Sequence, residues 1–155
     1  MALVLIRFLG VFLAGILAGE ELVVRYGVHP ALGALDAPSQ IRARQALIIR
    51  LRVLVPAIFL PTAVSAIAVL ILDGSGVGFA FRCAAVAALL GWILVTAIGT
   101  VPINKATLDW RPEEPPANWR TLVIRWERLD VIRSSAAVLA FVFLLTAAGL
   151  QAATN

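Results

Sequence analysis

The sequence predicts an all-α protein, an integral membrane four-helix bundle with interfacial helical extensions at the cytoplasmic face, and three observations point there. Hydrophobic residues make up 61% of the chain and charged residues 14%, and the mean hydropathy is +0.96, far more apolar than an ordinary soluble domain. Four apolar runs, at about 3–23, 53–72, 79–101 and 131–152, each approach the roughly 20 residues that a helix needs to cross a hydrocarbon core about 30 Å thick. At 155 residues the chain has room for a single domain, and a soluble fold of that size would need more charge to cover its surface.

The first run ends near Tyr26. Its small residues Gly10, Ala14 and Ala18 recur every four positions and allow close approach of a second helix. Arg7 ahead of an apolar stretch that ends in Ala18 and Gly19 also has the outline of a signal peptide, but a retained span is the expectation. Gly27, Pro30, Gly33 and Pro38 then predict a loop. Asp36 is the expected N-cap of the next helix, with Pro38 in its first turn. From Ser39 to Arg52 apolar and arginine positions alternate at helical spacing, an interfacial lead-in to the span that carries Pro56 and Pro61. The DGSGVG segment at 73–78 predicts a tight turn; a dinucleotide site would need a preceding strand, and none is expected. The third run leads into 101–133, the longest polar interval of the chain and the richest in tryptophan. Within it Asn118 is the expected cap of a helical approach to the fourth span.

Lysine and arginine counts set the expected orientation. All but Arg7 and Arg82 of the 13 basic residues lie in or beside the first and third connections. Those connections are expected in the cytoplasm and both termini outside it, in the cell membrane. Arg7 and Arg82, near helix ends, are expected to snorkel to the headgroups.

Four helix ends then meet at the cytoplasmic face, and most of the unusual polar residues are there. Glu20 and Glu21 sit at an apolar boundary, where a carboxylate costs less than the about 2.5–3.5 kcal/mol of the bilayer centre but still calls for a partner. An ordinary pair between Glu21 and Arg25, four residues apart, would satisfy both. Glu20 lies about 100° away around the helix, so only one of the two carboxylates is expected to face the bundle and act as a base. His29, the only histidine, is a candidate base or a loop residue bonded to a carbonyl. Asn104, two residues after Pro102, is a candidate polar group of a site or a repair for backbone that the proline leaves unpaired. Glu20, Glu21, His29 and Asn104 form the candidate catalytic set, and Arg25, Tyr26, Trp110, Trp119, Trp126 and Arg133 the candidate binding set. The tryptophans also fit an interfacial aromatic belt. No metal site is expected, because a lone histidine would need carboxylates to complete it and Cys83, the only cysteine, is placed on the other face.

Over nearly the whole chain, AGEELVVRYGVHPAL, RQALIIRLRVLVP, TVPINKATLDW and PPANWRTLVIRWERLDVIR resemble the membrane family that includes the anthrone oxygenases. The most specific pieces are His29 with Pro30, the PIN at 102–104, and Trp119 and Trp126 followed by Arg133. The resemblance implies four spans and, for a few members, oxidation of anthrones to anthraquinones without an obvious cofactor. Its implied partner is an apolar aromatic small molecule in the lipid bilayer. No cofactor and no nucleic acid are expected, and a homo-oligomer is allowed. The opposing reading is a non-enzymatic membrane protein, a partner-binding subunit or small carrier.

Overall fold

The computed structural model describes residues 1–154, with the Asn155 end of the chain lying outside the described residues. The elements run α1 (Ala2–Val23), a π turn (Val24–Val28), α2 (His29–Gly33), α3 (Ala37–Asp73), α4 (Phe79–Val95), a second π turn (Thr96–Thr100), α5 (Val101–Leu108) and α6 (Trp119–Thr154). Together they make four apolar helical rods long enough to cross a membrane, Leu3–Gly33, Ala37–Asp73, Phe79–Leu108 and Trp119–Thr154. The protein is an all-α, four-span membrane bundle. Around its axis the neighbours run α1, α3, α4, α6 and back to α1, with α3 and α4 meeting over the shortest seam.

Small residues bring the helices together. Ala14, Ala18, Ala66, Ala85, Ala137 and Ala140 are all buried in one core with Leu17, Phe59 and Trp92, and Gly10 lies against Ser65 of α3. Packing between small side chains is the main attraction left to helices in lipid, where apolar burial alone drives nothing. The larger apolar side chains point outward: Phe8 is 71% exposed, Val53 68% and Ile98 74%. In water such a surface would be an association hazard; against lipid it is the solvated face.

Two helix ends run further than the sequence suggests. Residues 27–33, expected as loop, continue the first rod as a π turn and α2, and His29 is the first residue of α2 rather than a loop residue. Likewise the third rod passes through a π turn and α5 to Leu108, so Asn104 is helical. The cause is the same in both places. Pro30 and Pro102 each sit at the second position of the helix that follows a π turn. A proline lacks the amide for the carbonyl four residues back and clashes with it; a widened turn relieves both without ending the helix. Gly99 lets the second π turn lie directly on α6, since a Cβ there would come within 2.8 Å of Leu129.

The remaining boundaries follow their local chemistry. Asp36 caps α3 by accepting from the Ser39 amide, with Pro38 in the first turn. α3 unites lead-in and span in one helix, and α6 does the same from Trp119. The turn after α3 has Gly74 at φ 57° and Gly78 at φ 81°, conformations that side chains resist. Arg82 corrects the snorkelling expectation. It is fully buried and donates to the carbonyls of Val77 and Gly74, with Asp73 3.6 Å away. Asp73 also accepts from Arg7 and Gln151, which ties α1, α3, α4 and α6 together at one end. There a charged pair closes the turn instead of reaching for headgroups.

Candidate functional site

At the other end the four rods enclose a cavity of about 330 Å³. Each rod supplies a stripe of side chains at helical spacing. Glu20, Glu21, Val24 and Val28 come from the first, and Arg44, Leu51, Val55 and Phe59 from α3. Trp92, Thr96, Thr100 and Asn104 come from the third, and Val123, Trp126, Asp130 and Arg133 from α6. The wall is mainly apolar, and each of the four rods contributes polar groups to it. Phe59 and Trp92 stack at 4.5 Å between ring centres, 17° from parallel, each covering one face of the other, and form part of the wall's apolar surface.

A buried polar network stands beside that surface. Glu21 is 1% exposed, and its Oε1 accepts from Trp92 Nε1 at 2.8 Å and from Arg133 at 2.6 Å. The Arg133 guanidinium also lies over the Trp92 ring, 4.8 Å from its centre. Asp130, 1% exposed, lies 3.6 Å from Arg133 and 3.6 Å from His29 Nε2. Arg44 donates to Glu127 at 2.9 Å and covers the Trp126 ring. The expected pair of Glu21 with Arg25 does not form: Arg25 donates to Ser134 instead. Glu21 turns inward to the longer-range partner because Arg133, on α6, is itself buried and needs a counter-charge.

Several polar atoms at this cavity are buried without a hydrogen-bond partner among the described residues. They include Glu20 Oε2, Glu21 Oε2, Thr100 Oγ1, Asn104 Oδ1, Trp126 Nε1 and both Asp130 oxygens. A buried polar group left unpaired costs about 1–3 kcal/mol, so such groups are rare and demand an explanation. Ordered water or a bound ligand would satisfy them, and they are concentrated on the wall of one cavity.

Of the candidate catalytic residues, Glu20, Glu21 and Asn104 line the cavity. The two glutamates share it, contrary to the one-sided expectation, because the cavity spans the angle between their directions. His29 does not line it; its ring packs on Trp126 at 4.7 Å and its Nε2 lies 3.6 Å from Asp130, both of them residues of the wall. Among the candidate binding residues Trp126 and Arg133 line it. Tyr26 faces outward, 65% exposed, under the Arg25 guanidinium. Trp110 is buried with Ile41 and Val123, with Trp119 packed on them, in a separate cluster that fastens the third connection to α3. Gln45 reinforces it by donating to the carbonyls of Thr107 and Trp110.

Three site residues escape a reading of the polar intervals. Trp92, Thr96 and Thr100 lie inside an apolar run, but their four-residue spacing up to Asn104 is a legible signal of a polar stripe on a spanning helix. Among the described residues no three His, Cys, Asp or Glu side chains converge closely enough to hold a metal ion.

None of the curated proteins and none of the solved structures compared with the chain matches it. A family model described as Anthrone oxygenase matches residues 45–143, which include α4, α5 and the cavity-lining part of α6. With more than half of its length matched, the chain belongs to the anthrone oxygenase family.

Proposed function

We propose that the protein is an oxygenase that takes a flat, apolar, phenolic ketone of the anthrone class and oxidises its doubly benzylic methylene to a carbonyl with dioxygen. The observation that carries this reading is the set of unpartnered buried polar atoms around a mainly apolar cavity. A fused tricyclic ligand can pack on the apolar lining that includes Leu51, Val55, Phe59 and Ile93 while its oxygens meet the polar wall. We place the protein in the cell membrane with the cavity end toward the cytoplasm, on the weight of the basic residues there.

Glu20 is the base in this scheme. Both glutamates keep an Oε2 without a partner, but Glu20 is held by no side-chain hydrogen bond among the described residues, whereas Glu21 is tied through Oε1 to Trp92 and Arg133. Glu20 takes one proton from the methylene, and the electron pair enters the ring system as an enolate. Trp126 Nε1 and the Thr100 hydroxyl, both unpartnered, donate to the developing oxyanion, with the Asn104 amide beside them. The enolate reduces dioxygen and forms a carbon–oxygen bond, and Glu20 returns its proton to the peroxide. Loss of the second C–H proton breaks the O–O bond and leaves the carbonyl. Two C–H bonds are lost, one C=O forms, and one O₂ ends as the new carbonyl oxygen and one water.

Oxygen uptake by the purified protein in nanodiscs, with anthrone as substrate, tests the reading. Turnover with one anthraquinone formed per O₂ is expected. General-base catalysis typically contributes about 10²–10⁴-fold, and Glu20→Gln should lower turnover by such a factor while thermal stability stays near that of the wild type. If anthrone-class compounds neither bind nor react, and Glu20→Gln and Asn104→Ala only lose stability, the polar wall is a packing feature and a non-enzymatic carrier or subunit replaces the oxygenase.

A further inference from the structure

The cavity reaches the outer surface of the bundle along the seam of α3 with the third rod. Its wall includes Pro56 and Leu60 on α3 and Ala97 and Val101 across the seam, all of them exposed, Leu60 to 60%. The surface around these residues is apolar: Val53 is 68% exposed, Leu94 57% and Ile98 74%. An opening among such side chains faces lipid.

Both edges of this opening are built from irregular backbone. On α3, Pro56 and Pro61 withhold the amides that would close two helical turns. Opposite them Ala97 sits in the π turn Thr96–Thr100, whose hydrogen bonds are already widened. The far side of that π turn is held on α6 by Gly99 against Leu129. Movement is therefore left to the seam side, where α3 and α4 already touch least.

We infer that the substrate reaches the cavity sideways out of the bilayer, between α3 at Pro56 and Leu60 and the third rod at Ala97 and Val101. This rests on the oxygenase reading for the identity of the ligand, and it narrows the substrate class to aromatic ketones that partition into lipid. The polar wall then meets the molecule's oxygens at the inner end of the route, and the apolar side chains of Val55 and Phe59 receive its hydrocarbon edge along the way.

Stopped-flow quenching of tryptophan fluorescence by anthraquinone, with the protein in nanodiscs, separates route from site. A bulky side chain in the mouth slows arrival and departure alike: Ala97→Trp should lower both rate constants by about tenfold or more and leave Kd within about twofold, whereas a defect of the site itself acts mainly on dissociation. Leu60→Trp serves the same purpose should Ala97→Trp fail to fold. Spin labels at Leu60→Cys and Ala97→Cys in a Cys83→Ser background give a second readout. They should collide with dissolved oxygen far more than with a water-soluble nickel chelate, and lose mobility when anthraquinone is added. Unchanged binding rates in a folded mouth variant, or labels open to the nickel chelate, overturn the lateral route while the oxygenase reading stands. Absence of anthraquinone binding by the wild type overturns both.

Discussion

Glu20 and Glu21 are adjacent in sequence, and the proposed chemistry gives them different roles. Glu21 is 1% exposed and pinned through Oε1 by an indole and a guanidinium, while Glu20, on the same cavity, makes no side-chain hydrogen bond among the described residues. Removing the charge should therefore do different things at the two positions. Glu20→Gln acts on turnover. Glu21→Gln acts on stability, because it leaves Arg133 buried without its main counter-charge; breaking a buried pair costs about 3–5 kcal/mol, and Asp130, 3.6 Å from Arg133, should hold the loss to the lower end. Thermal melting in detergent checks this, and the double variant Glu21→Gln with Arg133→Met should recover most of the loss because no unpaired charge then remains. The sequence alone suggested a local Glu21–Arg25 pair. Spacing reveals partners four residues apart, but the choice of Arg133, 112 positions away, depends on which charges the fold buries. For the same reason Asn104, Trp126 and His29 are legible as oddities in an apolar chain, whereas Trp92 is hidden among apolar neighbours, and only the fold sets His29 beside the wall rather than on it.

At the level of elements, the two proline-linked π turns decide which side chains face inward. Pro102→Ala would supply the missing amide and allow Thr96–Thr100 to tighten, which turns the following residues by as much as about 100°, one residue's worth of helix. Asn104 should then leave the wall, so turnover should fall while circular dichroism stays helical. The opposite end of the bundle is governed by a turn. At Gly78 a side chain would require φ 81° and would place its Cβ 3.1 Å from the Ala147 backbone. Gly78→Ala should cost about 1–2 kcal/mol for the left-handed backbone, with displacement of α6 added. Gly76→Ala, whose Cβ would make only an ordinary contact at 3.5 Å, should change stability by less than about 0.5 kcal/mol. Spans, the Asp36 cap and the 73–78 turn could be read from hydropathy and local chemistry. The continuation of both rods could not, because Gly and Pro spell the end of a helix in water. In the bilayer an interrupted helix is kept whenever its carbonyls can be satisfied.

Across the whole molecule, charge and cavity lie at the same end. Arg42, Arg50, Arg52, Lys105, Arg111, Arg120, Arg125 and Arg128 flank the cavity end, and only Arg7 and Arg82 lie at the other. The fold sharpens this asymmetry. Arg82 is fully buried on the carbonyls of its own turn, and Arg7 is held by Asp73, so the 73–78 end offers little free positive charge to an anionic leaflet. At the cavity end Arg44 and Arg133 are similarly committed, to Glu127 and Glu21, but most of the rest are exposed. Because lysine and arginine set orientation and acidic partners count for little, the cavity end should face the cytoplasm and both termini should lie outside it. Reporter fusions after Glu113 and at the C-terminus test this, with a cytoplasmic signal expected from the first and none from the second. Replacing Arg111, Arg120, Arg125 and Arg128 with Gln removes exposed charges that touch none of the cavity wall, and should produce molecules of mixed orientation. A cytoplasmic C-terminus in the unaltered chain would reverse the bundle and place the cavity end, with its Glu20 and Asn104 wall, on the outer side of the membrane.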